Sequence, residues 1–351
     1  MKKTVAVLMS GGVDSSVAAA ILKEAGWRVA GFTLRLQDTP AAAEAVADAV
    51  AVADRLGISH RVLDLRPAFQ ARVLDPFFAA YLGGATPNPC TVCNPEIKFG
   101  IFLEKALRLD FEKVASGHYA RIESRRGSFF LRKGIDPERD QSYFLYRLRP
   151  ESLGRLLFPL GRLTKDEVRR RAAALGLPNS GKADSQELCF TAGSGYADLI
   201  ARRFPGAARP GPIYELDGRR LGEHRGIINY TVGQRSGLGI SASRPWYVVR
   251  IDPVKNALFL GPRPAAYRTR VSVSGVNWIQ PPRQPVFRAR ARIRYRSPEA
   301  GVRVECEGDR FQVVFDRPQF APAPGQSLVL FRGQRVLGGG VIEFEASGEM
   351  C

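Results

Sequence analysis

A glycine-rich turn between an apolar run and an alanine-rich segment constrains the fold of this chain most strongly. Thr4–Met9 is typical of a buried strand, and Asp14–Ala25 is typical of a helix that Gly26 ends. Between them lies Ser10-Gly11-Gly12-Val13-Asp14-Ser15-Ser16. A glycine-rich turn that leads from a strand into a helix points backbone N–H groups and a helix N-terminus at one spot, which forms a cradle for phosphate. The turn is neither a Walker A loop nor a GxGxxG motif.

The alternation of strand and helix continues along the first part of the chain. Arg28–Leu34 and His60–Leu65 are predicted strands, and Ala41–Leu56 is a predicted helix that ends at Gly57. This pattern predicts βαβ units, and therefore an α/β fold whose parallel sheet is covered on both faces. Later elements are predicted as the helix Glu96–Leu109, the strand Lys113–Gly117, the hairpin Arg121–Leu131 and the helix Thr164–Leu175.

The pattern changes after about residue 205, where helical periodicity gives way to short β-type runs between Gly and Pro. Such runs predict one or two small antiparallel barrels. We therefore predict three domains: an α/β domain over residues 1–204, a central β-rich domain over 205–265, and a C-terminal β-barrel over 266–351.

The charge of the chain indicates a polyanionic partner. It has 52 Lys and Arg against 34 Asp and Glu, a formal net charge of +18, which favours nucleic acid. Because 42 of the 52 are Arg, a genome that prefers Arg codons is the alternative reading. Residues 201–351 hold 24 basic and 12 acidic residues, so the polyanion contact is predicted to lie mainly there.

Within that region, arginine alternates with other residues from Phe287 to Arg296. Alternate residues of a strand share one face, so the five arginines are expected side by side and without acidic neighbours. The pattern predicts a track for phosphates, and a solvated strand face is the alternative.

Cysteine usage indicates a reducing compartment. Five cysteines in a long chain argue against a disulfide framework. No apolar run reaches the roughly 18 residues that a membrane span requires. We therefore expect a cytoplasmic protein without a membrane partner.

Cys90 and Cys93 form a CxxC pair in a Pro-rich stretch that is predicted to be a stiff, exposed loop, and Cys189 stands alone. Four interpretations are open: ordinary buried thiols, part of a zinc site, a redox pair, and sulfur-handling or iron–sulfur ligands. Zinc is disfavoured because a structural site needs four ligands and the chain has one CxxC pair.

SGGVDS resembles the PP-loop of ATP pyrophosphatases, and the chain as a whole resembles the bacterial tRNA-specific 2-thiouridylase family. That family places sulfur on C2 of the wobble uridine of tRNA. The matching segments are SGGVDSS, TPNP…CN…IKFG (86–100), ASGHYARI (115–122), DQSYFLYRL (140–148), K.DSQELCF (182–190), GQRSGLGI (233–240), PWYV (245–248), RIRYRS (292–297), PGQ (324–326) and LGGGVIE (337–343). The resemblance implies a PP-loop catalytic domain in residues 1–204 and a tRNA-binding barrel in 266–351.

The resemblance also implies the ligand contacts. The nucleotide, ATP with Mg²⁺, is expected at Leu8, Met9, Ser10, Gly11, Gly12, Val13, Asp14, Ser15, Leu34 and Gly117. Asp14 could cap the helix or help to hold Mg²⁺. Contacts with tRNA and its flipped-out base are expected from Asn88, Pro89, Cys90, His118, Arg139, Asp140, Gln141, Arg294, Tyr295 and Gln326.

In the family scheme, Cys189 carries a persulfide, ATP adenylates the C2 oxygen, and Cys93 releases the product by forming a disulfide with Cys189. This chain departs from the family at Cys90, where most members have an Asp that is thought to assist catalysis. Cys90, Cys93 and Cys189 could together hold a [4Fe-4S] cluster with one open iron. We therefore hypothesise a cluster-dependent thiolating enzyme, with persulfide chemistry as the alternative.

The implied partners are tRNAs with wobble-uridine anticodons of the Lys, Glu and Gln type. A sulfur donor is also implied, either a desulfurase, a relay protein or sulfide. Two other functions are considered: a PP-loop ligase that acts on a small metabolite, and a non-catalytic RNA-binding or redox-sensing protein. The charge and the cysteines argue against the first, and the intact SGGVDS argues against the second.

Overall fold

The computed structural model describes residues 3–183, 188–191, 195–241 and 244–344. The first seven strands are β1 (Thr4–Leu8), β2 (Arg28–Arg35), β3 (Ser59–Asp64), β4 (Lys113–Ala115), β5 (Ala120–Arg125), β6 (Ser128–Lys133) and β7 (Leu156–Leu157). Five of them form a parallel sheet with the order β3-β2-β1-β4-β7. Strands β5 and β6 form an antiparallel hairpin. The predicted parallel sheet and hairpin are both confirmed.

The α-helices are α1 (Val13–Glu24), α2 (Pro40–Leu56), α3 (Arg66–Phe69), α4 (Asp75–Leu82), α5 (Cys90–Cys93), α6 (Phe102–Arg108), α7 (Lys165–Ala174) and α8 (Tyr196–Arg203). Gln70–Leu74 and Asn94–Ile101 are π-helical, and short 3₁₀ turns occupy Ser142–Leu145, Pro150–Arg155, Pro159–Arg162, Ile227–Asn229 and Arg263–Ala266. Local sequence explains several of these ends. For example, the Thr39 hydroxyl accepts from Ala42 N–H to cap α2, and Gly57 ends that helix in the left-handed conformation.

Both faces of the parallel sheet are covered, as predicted. Helices α1, α2 and α7 pack on one face, around a buried cluster that includes Val7, Val17 and Val168. The other face packs against α6 and against residues of the C-terminal strands, such as Phe331. The sheet therefore shares one of its two cores with the C-terminal part of the chain.

The remaining strands are β8 (Gly211–Glu215), β9 (Arg220–His224), β10 (Tyr247–Asp252), β11 (Ala257–Gly261), β12 (Tyr267–Trp278), β13 (Val286–Arg292), β14 (Ala300–Glu307), β15 (Arg310–Phe320), β16 (Ser327–Arg332) and β17 (Arg335–Ile342). Strands β8–β11 form a sheet with the order β10-β11-β8-β9. Because β8 and β11 are parallel, the prediction of an entirely antiparallel module is wrong here.

Strands β12 to β17 form a closed six-stranded antiparallel barrel. The order is β12-β15-β14-β13-β16-β17, and β17 pairs back with β12. Strand β6 pairs with β17 where Arg132 faces Arg335, so the hairpin extends the barrel sheet. This pairing and the shared core join the barrel to the α/β domain.

The prediction of five unpaired arginines on one strand face is wrong. Strand β13 ends at Arg292, and acidic side chains from other segments pair with three of the arginines. Arg288 pairs with Asp316 at 2.7 Å, Arg290 with Glu299 at 3.6 Å, and Arg292 with Glu299 at 3.1 Å. These acids are distant in sequence or lie beyond the strand, so alternation within residues 287–296 could not reveal them.

No helix in the described parts of the chain is long and apolar enough to cross a membrane. Asp184-Ser185-Gln186-Glu187 of the 182–190 motif, and Cys351, lie outside the described residues.

Candidate active site

The glycine turn after β1 adopts a conformation that its glycines allow. Gly11 has φ +73°, and a Cβ there would overlap the carbonyl oxygen of Ala45 on α2. The hydroxyls of Ser15 and Ser16 both donate to the Gly12 carbonyl at 3.0 Å. These bonds fix the turn from within, and the first N–H groups of α1 have no intrahelical acceptors. This local geometry is that of a phosphate cradle.

Asn179 secures this turn from a distant part of the chain. Its amide nitrogen donates to the Gly11 carbonyl at 2.8 Å and to the Ser16 hydroxyl at 3.0 Å. The residue is 6% exposed, and its buried Oδ1 has no hydrogen-bond partner among the described residues. Because the Gly11 carbonyl only accepts, the amide orientation is determined. Sequence analysis missed Asn179 because it is far from the motif in the chain.

Asp14 is held by two donors rather than capping the helix. The Tyr119 hydroxyl donates to Asp14 Oδ1 at 2.8 Å, and Lys165 Nζ lies 2.7 Å from the same oxygen. The N-cap of α1 is Gly12, without a side-chain cap bond, so the expectation that Asp14 caps the helix is wrong. Lys165 is 7% exposed, and this buried cation beside the turn was also missed by the sequence analysis.

Gly117 and Leu34 both lie at the edge of the turn. A Cβ on Gly117 would be 2.8 Å from Ser15 N and from the Asp14 carbonyl carbon. Leu34 lies near the end of β2, whose Thr33 hydroxyl donates to the Met9 carbonyl at 2.8 Å. Gly117 therefore lies against the turn, and Leu34 follows a residue that is bonded to Met9; the nucleotide contacts of both residues stay predictions.

The CxxC pair lies in a helical turn and not in an exposed loop. Cys90–Cys93 forms α5, which continues directly into the π-helical segment Asn94–Ile101. Cys93 is buried in a cluster that includes Ile97 and Phe190, whereas Cys90 is partly exposed. The prediction of exposure is therefore wrong for Cys93, because the helical turn directs its side chain into the core.

The three cysteines lie in one part of the fold, because Leu188 and Phe190, on either side of Cys189, pack in the cluster that buries Cys93. Burial raises the pKa of Cys90 and Cys189, and raises the pKa of Cys93 to about 12. The positive charge of Lys98 lowers the pKa of all three, and a charge on Cys189 raises the pKa of Cys90 and Cys93. Cys189 as a whole residue is exposed, although its thiol is desolvated. Lys98 is thus the one cation that acts on all three thiols among the described groups.

The three thiols do not form a metal-ligand set as they are placed. In the described part of the chain, no three His, Cys, Asp or Glu side chains are grouped so that they could hold a metal ion. A cluster or a zinc ion requires its ligands around one point. The arrangement of Cys90, Cys93 and Cys189 therefore does not fit the predicted [4Fe-4S] cluster.

His118 lies between aromatic rings close to the cysteines. Its Nδ1 is 2.7 Å from the Ser116 hydroxyl, and its ring centre lies 5.7 Å from that of Phe99 and 5.9 Å from that of Phe158. Burial and the charge of Lys98 lower the pKa of His118 well below 6.5. The imidazole is therefore neutral near pH 7.

The segment Arg139-Asp140-Gln141 is held by hydrogen bonds to neighbouring parts of the protein. The buried Asp140 carboxylate accepts from the N–H groups of Gly134 and Ser142 at 3.1 Å, and Arg292 lies 3.4 Å away. Gln141 exchanges hydrogen bonds with the Tyr119 backbone, its Oε1 accepting at 3.0 Å and its N–H donating at 2.8 Å. Asp140 thus connects the barrel to this segment.

Arg294 and Tyr295 have partners on both sides of the domain boundary. The Arg294 guanidinium donates to the carbonyls of Phe320 and Ala321 at 2.6 and 3.1 Å. The Tyr295 ring lies 4.4 Å from that of Phe144, whose carbonyl accepts from the Asn94 amide at 3.1 Å. This chain of contacts joins the barrel to the residue after Cys93.

Comparisons with known proteins agree with this geometry. Family models match residues 3–193 ("tRNA methyl transferase HUP domain"), 198–262 ("tRNA methyl transferase PRC-barrel domain") and 268–342 ("Aminomethyltransferase beta-barrel domain"). The "tRNA-specific 2-thiouridylase MnmA" of Chloroflexus aurantiacus is 45% identical and covers 96% of this chain and 98% of its own. Its namesake from Moorella thermoacetica is 46% identical with the same coverage.

The chain belongs to the tRNA-specific 2-thiouridylase family.

A more distant likeness is to a solved archaeal structure, "U34-tRNA thiolase NcsA from Methanococcus maripaludis with its [4Fe-4S] cluster". It covers 58% of this chain and 67% of that chain, at 20% identity and a TM-score of 0.37. At that level the likeness carries no argument about the cysteines of this thiouridylase-family chain.

Three polar residues of this thiouridylase-family site escaped the sequence analysis as functional candidates. They are Lys98, Lys165 and Asn179. Lys98 could have been singled out, because it lies five residues after Cys93 in the IKFG segment. Lys165 and Asn179 had no comparable signal, since each reaches the turn only through the tertiary fold.

Proposed function

We propose that this chain is an ATP-dependent tRNA 2-thiouridylase that replaces the C2 oxygen of the wobble uridine, U34, with sulfur. One observation carries the proposal. Cys189 comes from a remote part of the chain, yet its neighbours Leu188 and Phe190 pack in the same buried cluster as Cys93, within the domain that holds the phosphate turn. A nucleotide site and two adjacent thiols are the parts that activation of an oxygen and delivery of sulfur require.

The phosphate turn would bind ATP and direct the adenylation. Backbone N–H groups of residues 10–15 bind the phosphates, and the buried Lys165 ammonium adds positive charge beside them. Mg²⁺ would bind the phosphates together with one carboxylate oxygen of Asp14, because this ion is usually held by one or two carboxylates and substrate phosphates. The C2 oxygen attacks the α-phosphorus, pyrophosphate leaves, and AMP becomes bonded to that oxygen.

The cysteines would carry out the sulfur transfer. The terminal sulfur of a Cys189 persulfide attacks C2, and AMP departs with the C2 oxygen. Cys93 thiolate then attacks Cys189 Sγ, a disulfide forms between the two residues, and the transferred sulfur leaves with its electron pair as the C2 thiocarbonyl. An external dithiol must reduce the disulfide before the next cycle. Burial, the largest influence, raises the pKa of both thiols. The positive charge of Lys98 opposes this shift and so favours the Cys93 thiolate that the second attack requires.

The persulfide route is proposed because the three thiols, as placed, do not fit the cluster that the sequence favoured. On this route Cys90 is a neighbour of the reacting thiols and does not replace the acid–base function of the family Asp.

The tRNA would lie across the seam between the catalytic domain and the barrel. Asn88, Pro89 and Cys90 are proposed to surround the target base, with His118, Arg139, Gln141, Arg294 and Tyr295 along the seam. Asp140 is proposed to act there by connecting the segment to Arg292. We propose catalytic, central and barrel domains over residues 1–204, 205–265 and 266–351, and a cytoplasmic location with tRNAs of the Lys, Glu and Gln type as substrates.

The experiment is an in vitro thiolation assay. Full-length protein, unmodified tRNA transcript, Mg-ATP, a dithiol reductant and a cysteine desulfurase with cysteine are combined, and 2-thiouridine is measured by mass spectrometry of nucleosides. We expect 2-thiouridine and stoichiometric AMP, both dependent on tRNA. Pyrophosphate exchange triggered by a small metabolite without tRNA would instead favour a PP-loop ligase.

A parallel analysis separates the two sulfur mechanisms. Protein purified without oxygen is analysed for iron and sulfide, in the wild type and in Cys90→Ala. Full thiolation by iron-free protein supports the persulfide route. About four irons per chain, lost together with activity in Cys90→Ala, would overturn it in favour of the cluster.

A further inference from the structure

The stretch before the cysteines is held by both β-modules at one residue, Thr86. Thr86 N–H donates to the Pro324 carbonyl at 2.8 Å, and the Gln326 amide donates to the Thr86 carbonyl at 2.7 Å. From the central module, the Thr231 hydroxyl accepts from the Thr86 hydroxyl at 3.2 Å. Both backbone groups and the side chain of Thr86 are therefore engaged by other domains.

The barrel approaches Thr86 so closely that position 325 requires glycine. Gly325 has φ +88°, and a Cβ there would lie 2.9 Å from Thr86 N. The turn that carries Gln326 is itself fixed to β17, because Gly325 N–H donates to the Ile342 carbonyl and Ile342 N–H donates to the Gln326 carbonyl, at 2.9 and 2.8 Å. The barrel thus presents a rigid surface to Thr86.

The backbone between Thr86 and the cysteines has little conformational freedom. Pro87 and Pro89 restrict the backbone between them. The Asn88 side chain accepts from Cys90 N–H at 3.1 Å, and Cys93 N–H donates to the Pro89 carbonyl at 2.8 Å. A displacement of Thr86 is therefore transmitted to the helical turn that carries both thiols.

We propose that Gln326 is a positioning residue, which holds the cysteine turn in place through the Thr86 carbonyl and thereby couples the barrel to the reacting thiols. The family resemblance implies a direct contact between Gln326 and tRNA, whereas here its amide donor is bound to the protein. The coupling rests on the proposed function only in that it takes the barrel to be the tRNA-binding part.

The test measures how accessible the Cys93 thiol is, and how fast the backbone of residues 86–93 exchanges, in the absence of ATP and tRNA. Full-length wild type, Gln326→Ala and Gln326→Glu are treated with iodoacetamide, and alkylation of Cys93 is followed by peptide mass spectrometry, with amide hydrogen exchange over residues 86–93. Gln319→Ala is the matched control, because the side-chain amide of this barrel glutamine donates to the Arg317 carbonyl of its own strand. Affinity for tRNA is measured by filter binding.

We expect both Gln326 variants to alkylate at Cys93 about fivefold faster or more, which corresponds to the loss of one hydrogen bond. Gln319→Ala should stay within about twofold of the wild type. If the Gln326 variants fail to fold, Thr231→Val, which removes the central-module contact, should give a smaller acceleration. Wild-type alkylation together with weakened tRNA binding in Gln326→Ala would overturn the proposal and make Gln326 a direct tRNA contact.

This outcome is distinguishable from failure of the proposed function. The alkylation and exchange measurements need no turnover, so they test the coupling even if the wild type forms no 2-thiouridine.

Discussion

The phosphate turn and the cysteine site differ in how far apart in the sequence their residues lie. The turn is one continuous segment, Ser10–Ser16, whose hydroxyls and carbonyls bond mostly to each other. The cysteine site is assembled from α5, the π-helical segment after it, Cys189 and residues of both β-modules. Most of the bonds that shape the turn are therefore local, whereas the cysteine site depends on contacts from distant segments and from both β-modules.

The difference also predicts how each site responds to change. A substitution in the phosphate turn acts through local backbone strain and a few supporting side chains. A substitution around the cysteines acts through contacts that cross domain boundaries. The two sites should therefore be separable by single substitutions, and the predictions below test that separation.

The largest effect is expected for Cys93→Ser. Thiolation should fall at least about a thousandfold, because a hydroxyl cannot replace the thiolate that releases the product. Adenylation should persist, with about one pyrophosphate released per bound tRNA in a single-turnover assay. Cys306→Ser, on strand β14 of the barrel, is the control and should keep near wild-type activity. Loss of pyrophosphate release along with thiolation would mean that the two sites act as one.

A smaller effect is expected for Gly11→Ala in the phosphate turn, on ATP affinity and on stability. A Cβ would require a positive φ and would overlap Ala45, so we expect ATP affinity to fall about a hundredfold and stability to fall by about 2–4 kcal/mol. Gly26→Ala is a matched control, since Gly26 has φ +79° with nothing within 4 Å of a Cβ. It should cost about 1 kcal/mol and leave ATP binding intact. Calorimetric titration and urea unfolding make the comparison, and equal effects of both changes would refute the role of the contact.

A decrease of about tenfold or more in the adenylation rate is expected for Lys165→Met. The buried ammonium is lost from beside Asp14, so adenylation should slow by about 10–30-fold while Cys93 alkylation stays at the wild-type rate. Tyr119→Phe removes the other donor to the same Asp14 oxygen and should cost about threefold. Equal losses in the two variants would show that Lys165 only braces Asp14.

The smallest expected effect is on the pH dependence of folding stability, to which the neutral His118 contributes. Its pKa is lowered in the folded state, so below about pH 6.5 the unfolded chain binds more protons and stability falls as the pH falls. The slope approaches 1.4 kcal/mol per pH unit for one such group, and the loss continues until the pH reaches the folded pKa. In His118→Gln, the decline between pH 7 and 5.5 should be shallower in urea unfolding curves.

Part of that slope should remain, because burial also lowers the pKa of His60 and His224. An unchanged slope in His118→Gln would contradict the assignment of His118 as a buried neutral imidazole.

The outcome of the sequence predictions follows the same division. The parallel sheet, the glycine turn, the 120–133 hairpin and the family could be predicted, because each has a contiguous pattern of hydrophobicity, glycine or motif residues. The expectation that the five arginines are unpaired was wrong, because Asp316, Glu299 and Asp140 pair with arginines from outside the strand. The helical stretch from α3 to α4 was not predicted at all.

The site shows the same limit at the level of single residues. Asn179 and Lys165 reach the phosphate turn from more than 150 positions away, and local patterns contain no trace of such contacts. Cys93 was expected to be exposed, yet the helical turn and the cluster around Ile97 bury it and raise its pKa to about 12.

The sequence by itself determined the strand–turn–helix that can bind phosphate, the family, and the identity of the thiols. These depend on backbone preferences and residue chemistry that act over a few positions. The tertiary structure decided which charges are paired, which thiol is buried, and that Thr86 is bound by the central module and the barrel together. Those features depend on packing between distant segments, since burial and pairing are properties of the assembled core.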